Sequence, residues 1–388
     1  MKDQAAPEGE NNAGKPALYL AFELSRKKWK LGFSDGKVPL IRRVTIEAGD
    51  LEACRKEIQK ARQRFGLDDS VAVRSCYEAG REGFWLHRGL EQMGIENMVV
   101  DASSIEVNRR QRRAKTDRMD VEKLVRQLIR YWGGEQDVWK VVRVPSMEAE
   151  DSRQLHRELE VLKEEKKQHR VRIQSLLFTQ GIDKKVGRRF LKELEELRCW
   201  NQEAIPAQMK KRIQDEYHRL QLVEVQIREA KRKQAEQLKA GQKNAAMEKV
   251  RMLQQLLGIG TGSSWVFVME LFGWRQFQNR REVAGAVGLT PTPYNSGDSA
   301  REQGISRAGN RRVRKLSIEL AWSWLRFQPN SKLSRWYKQR FADGGGRMRR
   351  IGIVAMARRL VIDLWRYVEF GVVPEGARLR VPVASSIH

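Results

Sequence analysis

The sequence predicts an α/β plus α protein, on three observations. Short apolar or alternating runs crowd the first hundred residues, a stretch free of Gly and Pro runs from Ala149 to Thr179, and helix-type spacing broken by glycines fills the rest. Leu18-Tyr19-Leu20-Ala21-Phe22 is a short buried strand, and Lys28-Trp29-Lys30-Leu31-Gly32-Phe33 alternates like the next one, with Ser34-Asp35-Gly36 as the hairpin turn. A third strand, Arg42 to Ile46, completes a meander. Leu51 to Phe65 has helical spacing, Val71-Ala72-Val73 is another strand, Phe84 to Met93 a helix and Asn97 to Asp101 a last buried strand.

Three meander strands followed by β-α-β-α-β is the order of a ribonuclease-H-like fold, a sheet that places carboxylates at strand ends. From Ala149 to Thr179, Leu155, Leu159, Leu162, Ile173 and Leu176 form a heptad-like series in which Lys166 and His169 break the seam. A second long helix is expected from about Ala207 to Leu257. The two form an antiparallel hairpin, a coiled-coil dimerisation arm or an ordinary bundle. Leu256-Leu257-Gly258-Ile259-Gly260 resembles the turn of a helix-hairpin-helix element, where glycines let backbone N–H groups approach phosphate, although a plain turn reads the same way. The expected divisions are a tail at 1–16, an α/β domain at 17–148, a helical arm at 149–250, a mainly α domain at 251–370 and a tail at 371–388.

Charge points to the partner. The chain of 388 residues carries 75 Lys+Arg against 49 Asp+Glu, a net charge of +26. Neutralising many phosphates releases counterions, so nucleic acid is the first expectation and an anionic membrane surface the weaker rival. Cys54, Cys76 and Cys199 are too few and too far apart for a disulfide framework or a CxxC zinc site, which fits a reducing cytoplasm. The opening stretch lacks the apolar core of a signal peptide. The most apolar windows, Gly262 to Trp274 and Ile351 to Trp365, contain Glu270, Arg358, Arg359 and Asp363 and fall short of the ~20 apolar residues a span needs, so no membrane crossing is expected.

Two groups of residues could carry chemistry. Glu23 follows the first strand, Glu78 follows Val71 to Val73, and Asp117 and Asp120 lie three apart, on one face of a helix. Such acids would repel one another unless a divalent metal neutralised them, and oxygen-only ligands suit magnesium or manganese. Taken singly, each is an ordinary solvated acid. The second group is Pro293-Tyr294-Asn295-Ser296-Gly297-Asp298, followed by Arg301, Arg307, Asn310, Arg311, Arg312, Arg314 and Lys315. Ser296 in a tight turn could attack a phosphodiester while guanidinium groups hold its oxygens. No histidine is near it in the sequence, and from spacing alone a β-turn before a basic, nucleic-acid-contacting helix is the plainer reading. The run with Arg109, Arg110, Arg112, Arg113, Lys115 and Arg118 is a further candidate contact surface, solvated charge being its bland alternative.

Taken in order, Glu23-Leu-Ser-Arg-Lys-Lys-Trp, Tyr77-Glu78-Ala-Gly, Lys115-Thr116-Asp117-Arg118-Met119-Asp120, Gly258-Ile259-Gly260, Gly288-Leu289-Thr-Pro and Ser296-Gly297 through Gly304-Ile305-Ser306-x-x-Gly309-Asn310-Arg311 resemble the insertion sequence one-hundred-and-ten family of transposases. The resemblance runs from Ala17 to about Tyr367. It implies an N-terminal RuvC-like domain joined to a C-terminal transposase domain, acting as an RNA-guided DNA recombinase in which a structured guide RNA pairs with donor and target DNA. It implies a magnesium-binding acid set, here Glu23, Glu78, Asp117 and Asp120, and a serine that links covalently to DNA, here Ser296. It further implies a homo-oligomer, dimer or tetramer, in which the serine domain of one subunit faces the acids of another, and a nucleoid-associated place in a bacterial or archaeal cytoplasm.

One departure stands out: the family's first acid is usually Asp, and this sequence has Glu23. The added methylene moves the carboxylate by roughly an ångström, a displacement that can be costly to rate. Asp101, ending the last strand, is a candidate substitute ligand, with a surface acid the plainer reading. Two rival readings follow: a RuvC-like nuclease such as a junction resolvase that uses activated water, and a catalytically decayed transposase that only binds nucleic acid.

Overall fold

The computed structural model describes residues 16–37, 40–105, 117–240, 244–296 and 299–380, with backbone alone at 103, 117–120, 136, 293–296 and 299–303. The chain divides into two compact units, Met1–Val144 and Pro145–His388.

In the first unit, β1 (Ala17–Leu24), β2 (Lys28–Ser34) and β3 (Arg42–Glu47) form the expected meander. Helix α1 (Leu51–Phe65), β4 (Ala72–Glu78), α2 (Trp85–Gln92), β5 (Glu96–Val100) and α3 (Asp117–Trp132) follow. The five strands order as β3-β2-β1-β4-β5, with β4 parallel to both β1 and β5. Gly36, at φ +76°, turns the chain after β2, and a side chain there would meet the Tyr19 ring at 2.8 Å. Asp50 caps α1 by accepting from the Ala53 N–H at 2.8 Å, and Gly66 closes the helix in the left-handed conformation.

Alternation along β1 explains why it is buried on both faces. Leu18, Leu20 and Phe22 pack with Cys54 and Ile58 of α1 and Leu86 and Leu90 of α2. Ala17, Tyr19 and Ala21 pack with Val121, Leu124, Val125 and Leu128 of α3. Helix α3 runs against the direction of β1. Its last residue, Trp132, lies under the Arg74 guanidinium at 4.0 Å, and Arg74 is paired with Tyr19. Val125 and Val121 crowd Gly32, which is paired with Ala21 two residues before Glu23.

The second unit begins with α4 (Met147–Asp151) and α5 (Gln154–Phe178). The single helix expected from Ala149 to Thr179 is broken at Ser152-Arg153, where the Ser152 hydroxyl donates to the Ala149 carbonyl and competes with the helical ladder. After α6 (Phe190–Glu196), α7 (Ala207–Lys239) returns antiparallel to α5. Leu159 and Leu162 meet Val223, Ile227 and Ala230, while Ile173 and Leu177 meet Ile213, Tyr217 and Leu220. The residues that interrupt the heptad series are paired across this seam: His169 lies 2.7 Å from Glu216, and Lys166 2.8 Å from Glu224. The second expected helix also divides, at Ala240, and α8 (Ala245–Gln255) restarts under an Asn244 cap.

Helix α9 (Thr261–Phe267) runs into one π-helical turn, Val268–Phe272. Then come α10 (Arg280–Ala286), the hairpin β6 (Pro291–Ser296) and β7 (Ser299–Ile305), and helices α11 (Arg311–Phe327), α12 (Lys332–Phe341) and α13 (Gly346–Phe370). Trp265, Phe267, Phe272, Trp324, Met356, Leu360 and Leu364 form the core. The Leu256–Gly260 turn joins α8 to α9, its Leu257 and Gly258 carbonyls accepting from Gln328 and Ser323 of the neighbouring chain segment. Residues after α13 pack back on the unit, with Leu379 bridging to Leu256. Among the described residues no helix is long and apolar enough to cross a membrane.

Candidate functional site

In the first unit the register brings two of the four acids together. Phe22 pairs with Tyr77 on parallel neighbouring strands, so Glu23 and Glu78 stand side by side at the strand ends. Glu23 shares parity with Tyr19 and Ala21, and Glu78 with Arg74 and Cys76, so both strand positions belong to the face covered by α3. Continuing α3 one turn, ~5.4 Å, beyond Val121 matches the ~6.6 Å of strand from Ala21 to Glu23. The first turn of α3, with Asp117, Arg118 and Asp120, therefore lies at the end of the sheet that carries the two glutamates. These four acids offer oxygen donors alone, the chemistry that would suit a hard divalent cation such as magnesium or manganese and would not suit a soft metal. Asp101 follows β5 and donates its backbone N–H to the Lys140 carbonyl. Arg109, Arg110, Arg112, Arg113 and Lys115 fall outside the described residues.

In the second unit Ser296 is the last residue of β6 and pairs with Ser299, so it closes the ladder at the far end of the hairpin; Arg301 pairs with Tyr294. The root of the hairpin is clamped. Ser306 N–H donates to Thr290 O at 2.8 Å, Arg307 N–H to Gly288 O at 3.1 Å, and Asn310 N–H to Ala286 O at 2.8 Å. Gly288, at φ +66°, leaves no room for a side chain, since a Cβ would lie 1.8 Å from the Ala308 carbonyl oxygen.

Arg307, Arg311, Arg314 and Lys315 line one side of a cleft of about 1780 Å³, and Arg347, Arg350, Arg358 and Arg366 of α13 line another. Among the described residues that line it, Asp363 and Glu375 are the only acids, and Glu375 is paired with Lys332 at 2.6 Å. Burial pushes the Asp363 carboxyl above its usual range against the pull of Arg366, Arg359 and Lys332. Arg359 stacks on Trp336 at 4.0 Å. So cationic a trough suits a phosphodiester backbone held by guanidinium forks. Several of the expected contact residues are engaged within the protein, among them Arg314, whose Nη1 donates to the Val287 carbonyl at 3.2 Å, and Lys315, 3.9 Å from Glu319. Arg312 donates to Glu160 of α5 at 2.7 Å, and both ends of the Asn310 carboxamide are bonded, one to Glu270 and one to the α11 amides.

Residues 250–335 match the family described as Transposase IS116/IS110/IS902. Over 380 residues, 94% of this chain and 95% of the relative's, the sequence is 40% identical to the curated protein "Putative transposase y4rJ" of Sinorhizobium fredii (strain NBRC 101917 / NGR234). The chain belongs to the IS116/IS110/IS902 family of transposases. This transposase is also 27% identical over 296 residues, 76% of its chain and 67% of the relative's, to "Putative transposase y4qE" of the same strain. Its matched segment runs from α8 into α12, taking in the π-helical turn, the hairpin of Ser296 and all of α11. As a transposase it acts on DNA.

Sequence reasoning missed the α13 side of the transposase's cleft because Arg358 and Arg359 read there as interruptions of an apolar window. The signal is present: Arg347, Arg350, Val354, Arg358, Ile362 and Arg366 recur every three or four residues, opposite the buried stripe of Ile353, Met356, Leu360 and Leu364. Arg350→Gln and Arg358→Gln should each weaken binding of any duplex sequence by a similar factor. Each should also lower the slope of log affinity against log salt by about 1, measured by fluorescence anisotropy across a salt series. An unchanged slope in both would remove α13 from the interface.

Proposed function

We propose that this transposase is an RNA-guided DNA recombinase that cuts and rejoins strands through Ser296, assisted by a RuvC-like carboxylate site of Glu23, Glu78, Asp117 and Asp120. The observation that carries the reading is the β1–β4 register, which sets Glu23 beside Glu78 on the face of the sheet covered by α3. The β3-β2-β1-β4-β5 order supports a ribonuclease-H-like core.

The four acids would hold magnesium, or manganese, which when bound supplies positive charge for the phosphoryl oxygens. The Ser296 Oγ forms a bond to phosphorus as the bond to a deoxyribose oxygen breaks; the serine proton passes to a carboxylate of the acid set, and the departing oxygen takes up a proton to leave as a sugar hydroxyl. In rejoining, a sugar hydroxyl attacks the same phosphorus and releases the serine. The covalent link keeps the phosphodiester energy available for the second strand. Arginines of the cleft hold the non-bridging oxygens and the backbone. Sequence choice belongs to base pairing with a structured guide RNA, which explains why the cleft is dominated by groups that grip phosphate. The α5–α7 hairpin serves as the coiled-coil arm of a homo-oligomer, dimer or tetramer, that brings the serine of one subunit to the acids of another.

The test is redirection. With purified protein, element-flanking RNA, donor and target plasmids and magnesium, replacing the target-pairing segment of the RNA should move the junctions to the newly complementary sequence. Recombination that proceeds unchanged without the RNA would refute guidance.

A further inference from the structure

Glu270 has a place in the fold that the proposed chemistry does not use. Its residue is 2% exposed, in the π-helical turn Val268–Phe272, and its carboxylate collects bonds from two distant parts of the chain. From α5, at the root of the arm, His156 Nε2 lies 2.9 Å from Oε1, Arg157 Nε donates to Oε1 at 2.8 Å, and Arg157 Nη2 donates to Oε2 at 3.0 Å. From the other side Asn310 Nδ2 donates to Oε2 at 2.8 Å. Burial works against the anion, yet the bonds from His156, Arg157 and Asn310 hold the Glu270 carboxyl well below the usual carboxylate range.

Asn310 is the cap of α11, five residues after the hairpin of Ser296 ends at Ile305. Its Oδ1 caps α11 by accepting from the Arg312 and Val313 amides at 3.0 and 3.1 Å. Its own N–H donates to Ala286 O, alongside the two bonds that clamp Ser306 and Arg307 to Thr290 and Gly288, just before β6. A second strap runs parallel to the first, from Glu160 of α5 to Arg312 of α11 at 2.7 Å. A buried ion pair is weak ground for stability, because apolar residues of similar volume often do as well; fixing one arrangement against others is its better-attested use. Glu270 stands in a π-helical turn, an irregularity that is frequent at functional sites.

We propose that Glu270 is a positioning residue that ties the root of the arm to the root of the serine hairpin, so that the arm's placement in an assembly sets where Ser296 stands. The inference rests on the Ser296 reading and adds to it a mechanical link within one unit. Two substitutions cut the link at different points. Glu270→Gln keeps the shape but replaces one acceptor oxygen by an NH2 group, so the bonds from Arg157 or from Asn310 are lost. Asn310→Ser keeps an N-cap hydroxyl for α11 and removes only the bond to Glu270.

The measurement is single-turnover adduct formation by the full chain with its RNA in magnesium, over a range of DNA concentrations. The maximal rate should fall at least tenfold in each variant while the half-saturating DNA concentration stays within twofold of wild type. The double variant should be no slower than the slower single one, because one link is being cut twice. Arg312→Gln, at an exposed strap, should give a smaller loss and serves if the buried variants fail to fold. Wild-type rates in the variants that fold, or losses that multiply in the double variant, overturn the inference alone. Ser296→Ala beside them separates it from the serine reading. If wild type cuts DNA with no serine adduct, that reading falls, and the cleavage rate tests the link with the same tenfold expectation.

Discussion

Ser296→Ala should abolish the covalent protein–DNA adduct and with it strand transfer, by a factor on the order of 10⁴ or more, because it deletes the atom that bonds to phosphorus. The substitution removes one oxygen at the last paired residue of β6, while the clamps that hold the hairpin are backbone bonds at its opposite end. Folding and affinity for RNA and DNA should therefore stay within about twofold of wild type. A melting curve and an anisotropy titration check the first part, and a denaturing gel of labelled DNA the second. Nicked DNA persisting in Ser296→Ala would favour metal-activated water, the resolvase chemistry.

Glu78→Gln should reduce cleavage by a factor on the order of 10² to 10³, with part of the loss recovered at higher magnesium. Glutamine keeps the length and one oxygen of the side chain but removes the negative charge that a hard cation requires. A loss of activity that higher magnesium partly restores separates a metal site from an ordinary surface acid. Glu23→Asp should retain activity or raise it, since it restores the shorter side chain typical of the family.

The sheet was legible because strands and helices of the first unit follow strict periods. Leu18 to Phe22 alternates between two buried faces, Leu51 to Phe65 keeps helical spacing, and the predicted bounds of α1 and β3 fall within a residue of those observed. The placement of Glu23 and Glu78 follows from that order once β1 and β4 are parallel neighbours. Other features depend on bonds that no period announces. The break at Ser152 comes from one hydroxyl bonded to one carbonyl, and the end of α7 was hidden by the favourable charge and spacing on either side of residues 240–244. The β6–β7 hairpin has Pro291 and Pro293 in its first strand, which argues against a strand by propensity; pairing through a register shift between those two residues overrides it. The reading of Asn310 as a nucleic-acid contact missed a partner, Glu270, that lies 40 residues away in sequence.

The central claim is a serine-linked recombinase, and peptide mapping of the adduct tests it most directly. Full-length protein, its RNA and supercoiled DNA are trapped in magnesium under denaturing conditions, the DNA is trimmed to a nucleotide, and the modified peptide is sequenced by mass spectrometry. The account predicts a single nucleotidyl-phosphoserine at Ser296, absent when magnesium is chelated. A nucleotide attached at any other residue, or cut DNA with no attached peptide, would contradict it.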